Sequence, residues 1–330
     1  TAQITDYLTA YAELLYNPEQ SFGAGTLVDI NRNQIEMRKA FILLGNLKKS
    51  PFYLAAGKMD MPFGLQDTVS PFTNSTTWHA FAPLAYGGTV GYYKNGLHLR
   101  AAAMQGGAQF RSANADVDGT AVPSRVANWS VDGSYKLKFA DNADVMLGGS
   151  YIHGSAYCQS YPIKHFGACN YTNPAFSAYG TLHFGGLKLL GEYAQTTKEW
   201  AGTKVPTATN PLSQFDAAKV SSMTVGGRYA VPVSKSPLNV SFEFSNFRAG
   251  PDGAPWERQN QWVAGLSHFL APSVNVFGEV VRTEGFAPLN FLTGGNFPDG
   301  STWSDPDARS NVALFGIQAA AIVIYSLYAF

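Results

Sequence analysis

The side chains able to do covalent or metal chemistry in this 330-residue sequence are not spaced to form a reacting set. His79, His98, His153, His165, His183 and His268 are scattered, with no HExxH, no histidine pair at metal spacing and no GxSxG. The strongest nucleophile case needs a serine beside His183 across strands, and nothing in the spacing puts one there. GGNFPDG and GGTVGYY are glycine-rich, but no helix follows either, so they do not form a phosphate cradle. Cys158 and Cys169 stand alone, with no CxxC partner and no zinc set. They read as one loop-closing disulfide of an oxidising compartment, the alternative being two buried thiols. No enzyme activity, metal or cofactor is therefore expected.

The informative charged residues are those that alternate with apolar ones. In WSVDGSYKLK, Trp129, Val131, Gly133, Tyr135 and Leu137 share one face, while Ser130, Asp132, Ser134, Lys136 and Lys138 share the other. Leu97 and Leu99 oppose His98 and Arg100. Val240, Phe242 and Phe244 oppose Ser241 and Glu243, and Leu187, Leu189 and Tyr193 oppose Lys188 and Glu192. One face suits hydrocarbon and the other suits water.

Runs of this kind predict about fourteen strands, with sixteen as the second count, near 2–16, 33–46, 51–60, 87–95, 97–106, 126–139, 143–154, 174–184, 187–198, 216–231, 237–248, 259–270, 273–284 and 309–330. The connections alternate in length. Asn95-Gly96 and Gly185-Gly186 are hairpin turns, whereas 17–32, 61–86, 107–125, 155–173, 199–215, 249–258 and 285–308 are long. Short turns at one end and long loops at the other predict a single all-β domain over 1–330: an antiparallel transmembrane barrel, short-turned on the periplasmic side and long-looped outside. In hydrocarbon, closure alone pairs every backbone N–H and C=O. Tyr7, Tyr11, Tyr92, Tyr93, Trp129, Tyr135, Tyr151, Tyr193, Tyr229 and Trp262 fit interfacial girdles.

Composition agrees. Charged residues make up 14%, below the quarter usual in soluble domains, and 23 basic residues balance 23 acidic ones, which removes the electrostatic footprint of a nucleic-acid binder. A mean hydropathy of -0.09 excludes a bundle of spanning helices. TAQITDYL has neither the basic nor the apolar region of a signal peptide, as expected of a processed chain. From Ser310 to Phe330 there is no charge, and one strand from Arg309 to the end would run roughly 70 Å. Such a strand must project past the membrane or divide; a helical anchor is the remaining option.

FILLGNLKKSPFYLAAGKMDMPFG, residues 41–64, followed by a Thr/Ser-rich loop and GGTVGYY, is similar to Gram-negative porins of the siderophore-porin (LbtU-type) group and more distantly resembles the phosphate-selective group. IVIYSLYAF, ending on Phe330, looks like the aromatic carboxy-terminal signal of such barrels. The resemblance implies an outer-membrane channel for small hydrophilic or chelated solutes and hands over no binding residue.

Pore-lining positions are then expected at Glu36, Arg38, Lys58, Asp60, Arg100, Asp132, Lys136, Lys188, Glu192, Arg228, Glu243 and Glu279. The 61–86 loop, with Asp67 as its one charge and with Trp78 and His79, should fold as a constriction or latch onto a neighbouring subunit. Implied partners are outer-membrane lipid and lipopolysaccharide, small-molecule solutes, and either further copies of the chain or a periplasmic partner protein. A non-conducting barrel, acting as a sleeve for a partner or as an adhesin, is the alternative.

Overall fold

The computed structural model describes residues 1–17, 34–105, 126–158, 171–200, 217–233, 236–254, 257–285 and 307–319. They form one antiparallel sheet in which every strand pairs with its neighbours in sequence. Its strands are β1 (Ala2–Gln3), β2 (Leu8–Asn17), β3 (Gln34–Gly45), β4 (Phe52–Asp60), β5 (Leu84–Lys94), β6 (Leu97–Gln105), β7 (Val126–Ala140) and β8 (Ala143–Ile152), then β9 (Ala175–Phe184), β10 (Leu187–Glu199), β11 (Lys219–Val231), β12 (Leu238–Arg248), β13 (Arg258–Ala271), β14 (Val274–Glu284) and β15 (Arg309–Ala319). One short helix, α1 (Thr76–Phe81), interrupts the meander.

The predicted alternation is realised in the side chains. Trp129, at 43% exposure, and its partners in phase face outward, while Asp132 is 4% exposed on the inner face. Exposed Leu54, Val90, Leu99, Leu147, Val225, Phe242, Leu266 and Val280 continue the outer face around the wall, an apolar belt far larger than a soluble monomer carries. At the β5–β6 turn, Asn95 (φ 51°) and Gly96 (φ 82°) are both left-handed, as a two-residue hairpin with strand-matched twist requires. Among the described residues no ladder joins β15 to β1 or β2, and no helix is long and apolar enough to cross a membrane. Residues 320–330, the end of the predicted last strand, lie outside the described residues.

Several expectations are corrected. The predicted 2–16 strand breaks at Thr5, whose Oγ1 accepts the N–H groups of Tyr7 and Leu8 and turns the chain between β1 and β2. β5 starts at Leu84, before the expected Gly87. Tyr11 is no girdle residue: it stacks on Phe41 at 5.0 Å and donates to Glu13 on the inner face. The buried cluster lies on that face too, where Met61, Phe63 and Phe81 meet Met104, Ile152, Tyr157, Trp200 and Phe247.

Candidate functional site

The segment between β4 and β5 leaves the sheet and runs along its inner surface. Gly64 N–H donates to Ser150 on β8 at 2.9 Å, and Leu65 N–H to Glu192 on β10 at 3.0 Å. Asp67 pairs with Lys188 at 2.5 Å. Thr68 Oγ1 and Val69 N–H donate to Glu243 on β12 at 2.7 and 3.1 Å. Phe72 N–H, Thr73 N–H and Thr73 Oγ1 converge on Glu279 of β14. The chain then returns: Gln261 on β13 donates to Asn74 O, Ser245 on β12 accepts from Thr76 N–H, and Thr224 on β11 donates to Thr77. One segment thus bonds to six strands between β8 and β14, so the sheet wraps around it as a barrel wall.

The order follows from the register. Glu192, Thr224, Ser245 and Gln261 are consecutive partners across the ladder and form one inward row. Every second strand from β10 carries a glutamate that accepts loop N–H groups, each bond contributing about 1 kcal/mol or more. Ser75 caps α1 by accepting from Trp78 N–H, which aims the indole back at β3, where the Arg38 guanidinium lies 5.9 Å from the ring centroid. His79 packs edge-on against Trp78.

A second connection covers this loop. Tyr157, after β8, is fully buried and donates to Ala80 O at 3.0 Å; burial raises its phenol well above the ordinary value, so it keeps the proton it donates. Asn173 ties to Tyr157 O at 2.9 Å. The neighbouring Cys158 is buried and disulfide-bonded, and Cys169 lies outside the described residues.

The structure places the expected wall residues differently from one another. Arg38 pairs with Glu13 at 2.5 Å, Asp60 with Lys39 at 2.5 Å, Lys136 with Asp144 at 3.1 Å, and Lys188 with Asp67, so these stand on the inner face as ion pairs. Arg228 stands between Lys188 and Ser241 in the ladder, with no side-chain partner among the described residues. Five more are buried or covered on the inner face. Glu243 and Glu279 are 1% and 2% exposed beneath the loop, Glu192 is bonded to Leu65 and Ser177, and Lys58 is 2% exposed with its amine 5.6 Å from the Tyr86 ring centroid. Asp132 is buried, accepting from Arg100, Ser150 and Tyr179, while the Arg100 side chain beside it stays 24% exposed. The side chain of Glu36 lies outside the described residues.

Serine and threonine on the inner face, and Tyr157 and Tyr179, are site residues the sequence reading missed. The strand hydroxyls were visible only as the polar half of the alternation. His183 bonds Asp144 at 2.9 Å rather than a serine, and the described residues hold no cluster able to bind a metal.

The sequence model of Gram-negative porins matches residues 35–285. The chain belongs to the Gram-negative porin family. The outer membrane is accordingly where this porin resides. Its fold is similar to OmpT of Vibrio cholerae lacking loop L8 (13% identity, TM-score 0.53, covering 96% of this chain and 87% of that one). It is similar also to Salmonella typhi OmpF in complex with daunomycin (14%, 0.52, 96% and 87%) and to an anion-selective porin from Comamonas acidovorans (11%, 0.51, 86% and 77%). At these identities the likeness is one of fold. A UPF0422 protein of Coxiella burnetii (strain RSA 493 / Nine Mile phase I) is 26% identical over 204 residues, 60% of this chain, and the porin spans 40% of that protein's length.

Proposed function

We propose that this porin is a passive diffusion channel of the outer membrane, without enzymatic activity, whose bore is set by residues 61–83 lying against the inner wall. The observation that carries the reading is the anchoring of that segment by Glu192, Glu243 and Glu279 on alternate strands. A loop latched to a neighbouring subunit would spend its backbone donors elsewhere, and a sleeve for a partner would present a smooth lumen instead of a folded-in segment. Solutes pass down their gradient beside the loop, meeting the ion pairs of Arg38, Asp60, Lys136 and Lys188 and the open cation of Arg228. The solutes this suits are small and hydrophilic, chelates included.

The finer affiliation, to the siderophore-porin group, rests on the 41–64 segment, where Pro62 and Gly64 turn β4 into the loop and assign no solute. Liposome swelling with neutral sugars of increasing size tests the channel: influx with a sharp size limit is expected, and liposomes impermeable even to the smallest sugar would overturn it.

A further inference from the structure

The two limbs of the folded-in segment do not close fully on each other. Between residues 63–66 and α1 lies a partly open cleft of about 160 Å³, lined by Phe63, Gln66, Thr77, Trp78, Phe81 and Glu192, and its enclosed part has room for one water-sized group. Much of the lining is aromatic. Phe63 and Phe81 are each 1% exposed with ring centroids 6.2 Å apart, and Trp78 joins them. The polar lining consists of acceptors. Glu192 spends Oε1 on Leu65 N–H and the Ser177 hydroxyl, and no described residue donates to Oε2. Gln66, at a left-handed φ of 53°, turns its amide nitrogen onto Met61 O at 2.6 Å, which leaves its carbonyl oxygen as the open end. Thr77 already donates its hydroxyl proton to Ser222 at 2.9 Å.

The charge of Glu192 is also uncompensated. Cations around the segment each have a carboxylate of their own: Arg38, which reaches the Trp78 ring, has Glu13, while Lys188 has Asp67 and Arg100 has Asp132. No ion pair reaches Glu192 among the described residues. Glu243 and Glu279 are sealed at 1% and 2% exposure, whereas Glu192 is only partly buried and borders the cleft. A carboxylate without a counter-ion, set among aromatic rings, draws a cation both by its charge and through the quadrupoles of the rings. A group that only donates hydrogen bonds also satisfies Glu192 Oε2 and the Gln66 carbonyl together. A primary ammonium is positive, donor-only and about the size of a water molecule. An anion would meet acceptors and be repelled.

We propose that this cleft binds solutes bearing a primary ammonium group, whose head enters against Glu192 among Phe63, Trp78 and Phe81 while the rest of the solute stays in the lumen; that the occupant is a permeating solute rests on the channel reading above.

The test uses the full chain labelled with 5-fluorotryptophan, folded in neutral detergent and titrated with n-butylammonium under fluorine NMR, the Trp78 resonance being the one lost in Trp78→Phe. A saturable shift of that resonance at millimolar ligand is expected, and n-butanol at the same concentrations should give none. Glu192→Gln keeps an oxygen for Leu65 N–H and the Ser177 hydroxyl but removes the charge, so it should raise the half-saturating concentration by about tenfold or more. The proposal is overturned if wild type shows no saturable shift, if n-butanol shifts the resonance equally, or if Glu192→Gln binds as well as wild type. Should Glu192→Gln not fold, butyltrimethylammonium on wild type decides: its head overfills the enclosed part of the cleft and should bind about tenfold more weakly, and equal binding would count against the site. No current is measured, so a barrel that binds the ammonium yet stays silent in a bilayer would remove the channel and leave the cleft.

Discussion

The carboxylate of Glu243, on β12, accepts the backbone N–H of Val69 at 3.1 Å, joining two residues 174 positions apart. Its Oε2 also takes the Thr68 hydroxyl, while its Oε1 is buried with no partner among the described residues. The wall holds the loop through its backbone donors together with the Thr68 and Thr73 hydroxyls, which makes the docking sensitive to the acceptor.

Substitutions at that acceptor should separate by chemistry. In Glu243→Ala the Val69 N–H and Thr68 hydroxyl lose their acceptor, a cost of about 1–3 kcal/mol. Glu243→Gln keeps a carbonyl oxygen for both and gives the unpartnered side an amide, so its change should stay under about 1 kcal/mol. Urea unfolding in detergent ranks the two, and equal losses would show that the hydrogen bonds do not matter.

Gly64 has φ +74°, and a Cβ there would come 2.3 Å from Glu192 Oε1. Gly64→Ala therefore meets both backbone strain of about 1–2 kcal/mol and a displaced anchor. Lower stability and noisier channel openings are expected; a variant identical to wild type in urea unfolding and in current traces would contradict the docking.

Arg100 and Arg228 looked equivalent as pore-wall cations, and the structure distinguishes them. Arg228→Glu should shift the reversal potential in a salt gradient towards cations, since its guanidinium has no carboxylate partner among the described residues. Arg100→Glu would place a second carboxylate beside buried Asp132, so its main effect should be on folding yield or unfolding midpoint. A potential that moves with Arg100 and ignores Arg228 would reverse the assignment.

The strands were legible because the lipid face writes a period of two into the sequence, as in Trp129 to Leu137. Turn chemistry was legible where Asn95-Gly96 spelled it. α1 was missed although Ser75 is an N-cap residue, because six residues give no helical period to read. The break at Thr5 carried the Thr-Asp signature of a turn, hidden by the apolar residues on either side. Glu192, Glu243 and Glu279 looked like any inward charge. Their role depends on N–H donors 127, 174 and 207 positions away, and no local pattern records which backbone will arrive. Lys58 and Asp132 read as water-facing in the sequence for the same reason, since burial on an inner face depends on what lies against it.

Tyr157 and Cys158 form the outer brace of the loop. Tyr157→Phe removes the donor to buried Ala80 O at a cost of about 1 kcal/mol, and reducing the protein should loosen the same contact. Both treatments are expected to raise mean conductance, because α1 is freed from above. Unchanged conductance after reduction, with free thiols confirmed by labelling, would detach the brace from the bore.

The central claim is an open channel whose width the 61–83 segment sets, and single-channel recording in a planar bilayer tests it most directly, comparing wild type with Glu279→Ala. Wild type should give regular steps. The variant, with Phe72 N–H, Thr73 N–H and Thr73 Oγ1 left without their acceptor, should give larger or fluctuating ones. A folded wild-type barrel that passes no current, or a variant with steps identical to wild type, would contradict the account.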